Sequence, residues 1–251
     1  MTAPRLDAAD RRFLEGYDPA AYERPSVAVD VVVLTLREGA LWVLGVRRRE
    51  PPFSGAWVPP GGFVGVREGL DEAAARVLRD KAGVEGVYLE QLYTFGAPDR
   101  DPRMRVIAVA YCALVPPERL AGKGELARLE VPWAGETGGP VHALDAAGVR
   151  LPLAFDHADM LATAVLRLRG KLGYTPVGYA LLPERFTLRQ LQDVHEAILG
   201  RPLNKDSFRR SMLASGELEP THELEEGVGH RPAALYRRRL PIPAPALAGR
   251  R

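Results

Sequence analysis

The passage from Gly62 to Val84 most constrains what this chain can fold into, because a glycine turn, a polar loop and a helix follow one another there at fixed spacing. Gly62 and Glu68 frame the loop, Arg76 lies in the segment that follows, and Gly83-Val84 closes it. Gly69 sits where a helix cap belongs, Asp71 and Glu72 occupy the first turn, and Gly83 stops the helix. Acids in a first turn also suit the helix dipole. The spacing predicts a helix over 71–82. It places Val77, Asp80 and Lys81 on one face, since residues three and four apart are neighbours on a helix. Glu68 and Arg76 are spaced to form an ion pair across the loop–helix corner.

The flanking segments supply a sheet for that corner. Val27 to Leu36 and Leu41 to Val46, rich in β-branched residues around Arg37-Glu38-Gly39, read as a hairpin. Tyr88 to Tyr93 and Val106 to Val115 add strands, and residues 116–150 read as a long irregular loop with room for one strand. Phe155 to Leu172 reads as a helix, with Leu161, Val165 and Leu168 at helical spacing. Residues 1–172 are therefore expected to form an α+β domain, an α/β-type sandwich around a mixed sheet, with residues 1–24 as a short helix or arm.

The 251 residues are enough for two domains. The single cysteine, Cys112, lies in an apolar run and reads as a small core residue. The chain start lacks the apolar stretch of a signal peptide, and no run approaches membrane-spanning length. The expectation is a soluble, cytoplasmic protein with no membrane partner. Residues 1–183 hold 22 Lys+Arg against 23 Asp+Glu, a net −1, while residues 184–251 hold 12 against 9, a net +3. A weakly basic C-terminal unit permits nucleic-acid contact.

That unit, residues 184–240, has clear helix grammar. Thr187 and Gln190 stand at capping-box spacing, with Phe186 and Leu191 as a hydrophobic staple. Leu188, Leu191, Val194 and Ile198 supply one apolar face, and Gly200 ends the helix. Asn204 caps a second helix running to Ala214, and two short strands, Leu218 to His222 and Pro232 to Arg237, bracket a polar tip. Helix, turn, helix and hairpin is the layout of a winged helix-turn-helix. Phe208 and Met212 make the buried face of its second helix, so Arg209 and Arg210 project away. With Lys205 and Ser207 at the helix start, they are the candidates for phosphates and base edges of double-stranded DNA. His230 and Arg231 on the tip and Arg237 on the last strand complete the candidate set. The alternative is a protein-interaction winged helix whose arginines only face solvent. Residues 173–183 are expected to link the units, and residues 241–251, rich in Pro and Ala, to be disordered.

The Gly62–Val84 passage resembles the Nudix box, G-x5-E-x7-R-E-U-x-E-E-x-G-U with U a bulky aliphatic residue. Gly62, Glu68, Arg76, Leu78, Gly83 and Val84 fall in register, but the positions of the metal-binding glutamates hold Val77, Asp80 and Lys81. Mg²⁺ prefers several anionic oxygens and sheds water reluctantly. The resemblance therefore implies a cleft that binds without metal-assisted hydrolysis: no catalytic residues, no metal and no required cofactor. Trp57-Val-Pro-Pro-Gly-Gly-Phe-Val64 and Leu92-Tyr-Thr-Phe-Gly-Ala-Pro-Asp-Arg-Asp-Pro-Arg103 resemble the ADP-ribose-handling members. In chemical terms Phe53 and Trp57 can stack a base, Arg47, Arg48 and Arg49 can meet phosphate, and Asp99 and Asp101 can accept ribose hydroxyls. Gly61, Gly62, Glu68 and Asp80 shape the wall, and Lys81 supplies the positive charge a metal would bring. Plainer readings stand beside these: Trp57 as core, the arginine run as a solvated edge, Lys81 as a solvated lysine near a helix end.

Taken in order, the Nudix-like unit, Leu172-Gly-Tyr-Thr-Pro176, Phe186 to Arg210 and Arg231 to Arg237 are similar to the Nudix-related transcriptional regulators of NAD metabolism, the NrtR-like family. The resemblance implies a homodimeric repressor that binds operators of NAD-biosynthesis genes and is released by ADP-ribose or a related nucleotide. The competing expectation is a metal-dependent pyrophosphatase acting on ADP-ribose, with ligands drawn from Glu68, Asp80, Asp99 or Asp101 and an accessory winged helix.

Overall fold

In the computed structural model, which describes residues 5–120, 124–227, 229 and 231–242, the chain opens with helix α1 (Ala8–Gly16). The Asp7 carboxylate caps it by accepting from the amides of Ala9 and Asp10, and the helix buries no side chain. The β-branched run then forms β1 (Ser26–Arg37), paired antiparallel with β2 (Ala40–Arg47). Two short strands follow: β3 (Trp57–Val58) against β2, and β4 (Gly61–Phe63) against β1. Helix α2 (Leu70–Val77) continues into a π-helical turn at Leu78–Ala82 and ends at Gly83 in the left-handed conformation. Strands β5 (Tyr88–Phe95) and β6 (Val106–Leu114) pair antiparallel, and β6 lies parallel to β1. That parallel neighbour makes the sheet mixed, as expected.

Residues 116–150 depart from the single-strand expectation. They hold two strands, β7 (Glu125–Glu130) and β8 (His142–Leu144), which extend the sheet to the order β5-β6-β1-β2-β7-β8. In β7 only Ala127 and Leu129 are buried, too short an alternation to stand out among glycines and prolines.

Both faces of β1 are covered, so its side chains alternate between two cores. Val29, Val31 and Val33 pack with Ala73, Ala74 and Val77 of α2. Val32 and Leu34 face the other way, in the core that holds Met160 and Leu161 of α3 (His157–Leu172). Cys112 is buried in that second core.

The winged-helix unit begins with a two-residue strand, β9 (Phe186–Thr187), followed by α4 (Leu188–Leu199) and α5 (Lys205–Ala214). The hairpin β10 (Leu218–Leu224) and β11 (Ala234–Arg238) completes it, with β9 as a third strand in the order β10-β11-β9. The capping box forms: Thr187 Oγ1 accepts from the Gln190 amide at 3.1 Å, and Gln190 Oε1 accepts from the Thr187 amide at 2.8 Å. Asn204 Oδ1 accepts from the Ser207 amide at 2.9 Å, capping α5.

Residues 173–183 are packed rather than free. Pro176–Leu181 wind a 3₁₀ turn in which Val177, Tyr179, Ala180 and Leu181 are buried. They join Leu168 and Leu172 of α3 and Leu191, Val194 and Ile198 of α4 in the core that also carries Val32 and Leu34. The cause is composition, since Val177-Gly-Tyr-Ala-Leu-Leu182 has no charged residue to keep it in water. One apolar core thus runs from the sheet into the winged helix. From residue 243 onward the stretch expected to be disordered lies outside the described residues, as does His230.

At this junction Arg169 is 4% exposed. Its Nε donates to the Ile198 carbonyl at 2.7 Å, and its Nη1 donates to the carbonyls of Trp133 and Gly135 at 2.9 and 3.1 Å. The guanidinium lies 4.3 Å from the centre of the Trp133 ring. Among the described residues no carboxylate pairs with it; carbonyl dipoles and an aromatic face take that part. Gly200, at φ +68°, ends α4, and a Cβ there would sit 2.7 Å from Arg169 Nη2. Glycine therefore both turns the chain and leaves room for the guanidinium.

Candidate functional site

A cavity of about 280 Å³ opens where β1, β4, the π-helical turn, the turn at 100–103 and the start of α3 converge. Arg48, Gly61, Gly62, Lys81 and Asp101, all expected at a ligand, line it. So do Asp30, Arg100, Arg103, Phe155 and His157, which the sequence reading passed over. A larger hollow of about 690 Å³ lies under α2 and the Tyr179–Leu182 segment. Its walls are mainly aliphatic and its two arginines are engaged, Arg79 with Asp80 at 2.9 Å and Arg119 with the Glu85 carbonyl at 2.7 Å. The smaller, charged cleft is the one with polar groups left to offer.

Asp30 is the only charged residue in the run Val27 to Leu36. It pairs with Gly61 across the sheet, and a Cβ on Gly61 would fall 1.9 Å from Asp30 Oδ1, so only glycine admits the carboxylate. Burial raises the Asp30 pKa to about 6, against the opposing pull of Arg100. Among the described residues no donor hydrogen-bonds to that carboxylate; His157 Nε2 lies 4.0 Å away. His157 begins α3, is 4% exposed, and has its pKa lowered to about 4 by burial. Its Nδ1 is closed off from solvent and has no partner among the described residues.

Around this pair the other charges are matched. Arg100 holds Asp156 through bonds of 2.8 and 2.6 Å, and Arg103 holds Asp101 through bonds of 3.0 and 2.8 Å. The hydrogen bond from Arg103 keeps the Asp101 carboxyl below its usual range. Phe155, at φ 51°, is a left-handed non-glycine residue, a conformation that costs free energy and concentrates at functional sites. The guanidinium groups of Arg48 and Arg103 lie 5.0 and 5.8 Å from its ring centre.

Several expected ligand residues lie elsewhere. Trp57 is fully buried in the core, so the plainer reading holds and it cannot stack a ligand base. Phe53 reaches only the rim, its ring 5.0 Å from that of Phe155 and edge-on to it. Arg47 is drawn away by Glu125 at 3.2 Å, and Asp99 is exposed on a turn outside the cavity. Glu68 is fully committed to the loop: Oε1 and Oε2 accept from Arg76 at 2.6 and 2.8 Å, and Oε2 accepts from the Gly65 amide at 2.9 Å. The hydrogen bond from Arg76 holds the Glu68 pKa at about 2.

Of the predicted common face, Val77 and Lys81 both turn toward β4, beside Gly62 and Gly61, while Asp80 on the π-helical turn does not join them. Val77 is buried against the sheet, Asp80 meets Arg79 in solvent, and Lys81 donates through Nζ to the Gly61 carbonyl at the cleft. Among the described residues no three His, Cys, Asp or Glu side chains converge on one point. With Glu68 spent and an ammonium at the cleft edge, this donor set does not fit a divalent metal.

On the second unit, Lys205, Ser207, Arg209 and Arg210 are exposed along α5. The side chains of Lys205, Arg209 and Arg210 have no hydrogen-bond or ion-pair partner among the described residues. Arg189, Lys205, Arg209 and Arg231 border one concavity of about 450 Å³ between the helices and β11. Arg189, on α4, was missed because its place beside α5 depends on how the two helices cross. Arg237 differs from its expected role, since its Nε donates to Glu219 at 3.1 Å within the hairpin.

Residues 178–238 match the NrtR DNA-binding winged helix domain, and residues 24–162 match the NUDIX domain. The ADPR responsive transcriptional repressor NtrR of Acinetobacter baylyi is 36% identical over 233 residues, which is 92% of this chain and 88% of that protein. This chain belongs to the NrtR family. Shewanella oneidensis NrtR, crystallised with a 27mer DNA, matches the NrtR-family fold seen here at a TM-score of 0.69, with 34% identity over 84% of this chain and 93% of that one. The ADP-ribose pyrophosphatase of Methanocaldococcus jannaschii is 34% identical over 90 residues, 36% of this chain and 51% of that enzyme. No described helix of this NrtR-family chain is long and apolar enough to cross a membrane.

Proposed function

We propose that this chain is an ADP-ribose-responsive repressor of NAD biosynthesis or salvage genes, acting as a homodimer on operator DNA. The observation that carries the reading is the exposed face of α5, where Lys205, Arg209 and Arg210 are uncommitted. Support comes from similarity over 92% of the chain to an ADPR-responsive repressor. Unpaired guanidinium and ammonium groups on the second helix of a winged helix suit phosphates and guanine edges. Ser207 at the start of α5 and Arg231 near the tip extend the same surface, while Arg237 contributes less because Glu219 neutralises it. The effector enters the cleft of Arg48, Lys81, Arg100 and Arg103, where Arg48 has no carboxylate partner among the described residues and the other three exchange Gly61, Asp156 and Asp101 for a diphosphate. Release requires that the effector prefer a geometry in which paired recognition helices no longer match the operator half-sites.

Fluorescence anisotropy of the full chain on a duplex from an NAD-gene promoter tests this, across a salt series and with ADP-ribose added. The expected result is sequence-preferring, steeply salt-dependent binding that ADP-ribose reverses. Equal affinity for promoter and scrambled duplex at every salt concentration rejects it.

The cleft is proposed to bind without hydrolysing, because Val77 and Lys81 stand where carboxylates are needed and Glu68 is held by Arg76. A pyrophosphatase reading draws on the 90-residue similarity to the archaeal enzyme. Incubation with ADP-ribose and Mg²⁺ or Mn²⁺ separates them: robust metal-dependent turnover favours the enzyme.

A further inference from the structure

Two buried polar groups on the cleft wall have unmet bonding capacity. Asp30 presents a carboxylate that accepts no hydrogen bond from the described residues, and His157 turns toward it an Nε2 that has no hydrogen-bond partner among them. Desolvating such groups without partners costs free energy, so a folded protein that keeps them in a cavity has a reason to. Their neighbours do not relieve them. Arg100 is spent on Asp156, and Lys81 on the Gly61 carbonyl. A bound metal is no answer either, since no third ligand joins them among the described residues.

What they ask of a ligand follows from their chemistry. An ionised carboxylate only accepts; a neutral imidazole offers one donor and one acceptor. A phosphate is repelled by Asp30. An apolar group leaves both unsatisfied. Two adjacent hydroxyls satisfy the cleft-facing groups, one donating to Asp30 and the other meeting His157 Nε2. Asp30 comes from β1 and His157 from α3, with His157 Nε2 4.0 Å from Asp30 Oδ2, so one small group can touch both. The cavity of about 280 Å³ is near the lower limit for ligand pockets and suits a pentose with its phosphate rather than a whole dinucleotide. Of the arginines flanking Phe155, Arg48 bonds only to the carbonyls of Pro52 and Glu50 and is at hand for that phosphate.

We propose that Asp30 and His157 form a vicinal-diol subsite that reads the sugar hydroxyls of the effector, while the arginines of the same cleft read its phosphates. This rests on the ligand-sensing reading above and deepens it, because the subsite lets the cleft tell a sugar phosphate from a bare diphosphate.

Calorimetric titration of the full chain with ADP-ribose, beside thermal unfolding without ligand, tests the subsite in Asp30→Asn and His157→Phe. Each variant is expected to bind ADP-ribose about 10- to 100-fold more weakly, the effect of losing a hydrogen bond to a buried polar group. Asp30→Asn is expected to keep or raise the melting temperature, since a neutral amide is cheaper to bury, and a purely structural residue would not weaken binding while doing so. Undiminished affinity in both variants overturns the subsite, as does affinity that falls only in step with melting temperature. Repeating the titration with ADP locates the diol: a loss confined to ADP-ribose assigns the terminal ribose, and an equal loss assigns the adenosine ribose. A wild-type protein that fails to bind ADP-ribose sinks the ligand-sensing reading itself, which keeps the two failures apart.

Discussion

Asp30 and His157 tilt the stability of the fold in opposite directions as pH changes. The folded-state pKa of Asp30 is raised to about 6 by burial, so its contribution is full below the ordinary carboxylate range and lost as pH rises toward 6. For His157 the folded value is lowered to about 4 by burial, so its contribution is full above 6.5 and lost as pH falls toward 4. The two slopes oppose each other across one window, and each substitution exposes the other. Asp30→Asn is expected to stabilise the protein by about 2 kcal/mol at pH 8 and by nothing at pH 3, as measured by urea denaturation. It should also steepen the loss of stability between pH 6.5 and 4. Lys81→Ala is expected to weaken ADP-ribose binding about 10-fold with or without Mg²⁺; unchanged affinity removes Lys81 from the site. The lone acid of a valine-rich strand was visible in the sequence. The free nitrogen of His157 was not, because its lack of a partner depends on which residues the start of α3 meets.

Helix α3 joins the cleft to the reading head. His157 and the Asp156–Arg100 pair stand at its first turn, and Arg169 grips the end of α4 near its last. At about 1.5 Å per residue its 16 residues span roughly 24 Å, as one rigid element. Arg169→Met keeps the bulk and removes the donors, leaving the carbonyls of Ile198, Trp133 and Gly135 without them. It is expected to cost about 3 kcal/mol of stability and to uncouple the sites, with ADP-ribose still bound but DNA no longer released. Calorimetry and anisotropy on the same variant check both halves. On α5, Arg209→Ala and Arg210→Ala are each expected to lower the salt slope of DNA binding by about one. The helices of the second unit were legible because their signals are local: Thr187 and Gln190 cap α4 within four residues. The second strand of residues 116–150 and the two-residue β9 were not, because each is short, and β7 and β9 are fixed by β2 and β11, far off in the chain.

At the scale of the molecule, one apolar core passes from β1 through α3 and the 3₁₀ turn into α4. Heat is therefore expected to unfold the protein in a single cooperative transition by differential scanning calorimetry, which ADP-ribose shifts upward as a whole. At 100 times its dissociation constant the effector adds about 2.7 kcal/mol. Two separated transitions, only one of them ligand-sensitive, contradict the continuity of the core. The order of the two units was legible from their motifs, but their fusion was not, since residues 173–183 looked like a connection until their side chains were seen buried. Leu191, Val194 and Ile198 are roofed by α3 and by Val177 to Leu182 rather than by the winged helix alone. A DNA-reading head cut away at residue 184 thus leaves its ceiling behind, and grafting it onto another sensor gives an unfinished interior. Chains of this build are poor cassettes: a new pairing of sensor and head has to remake the wall they share.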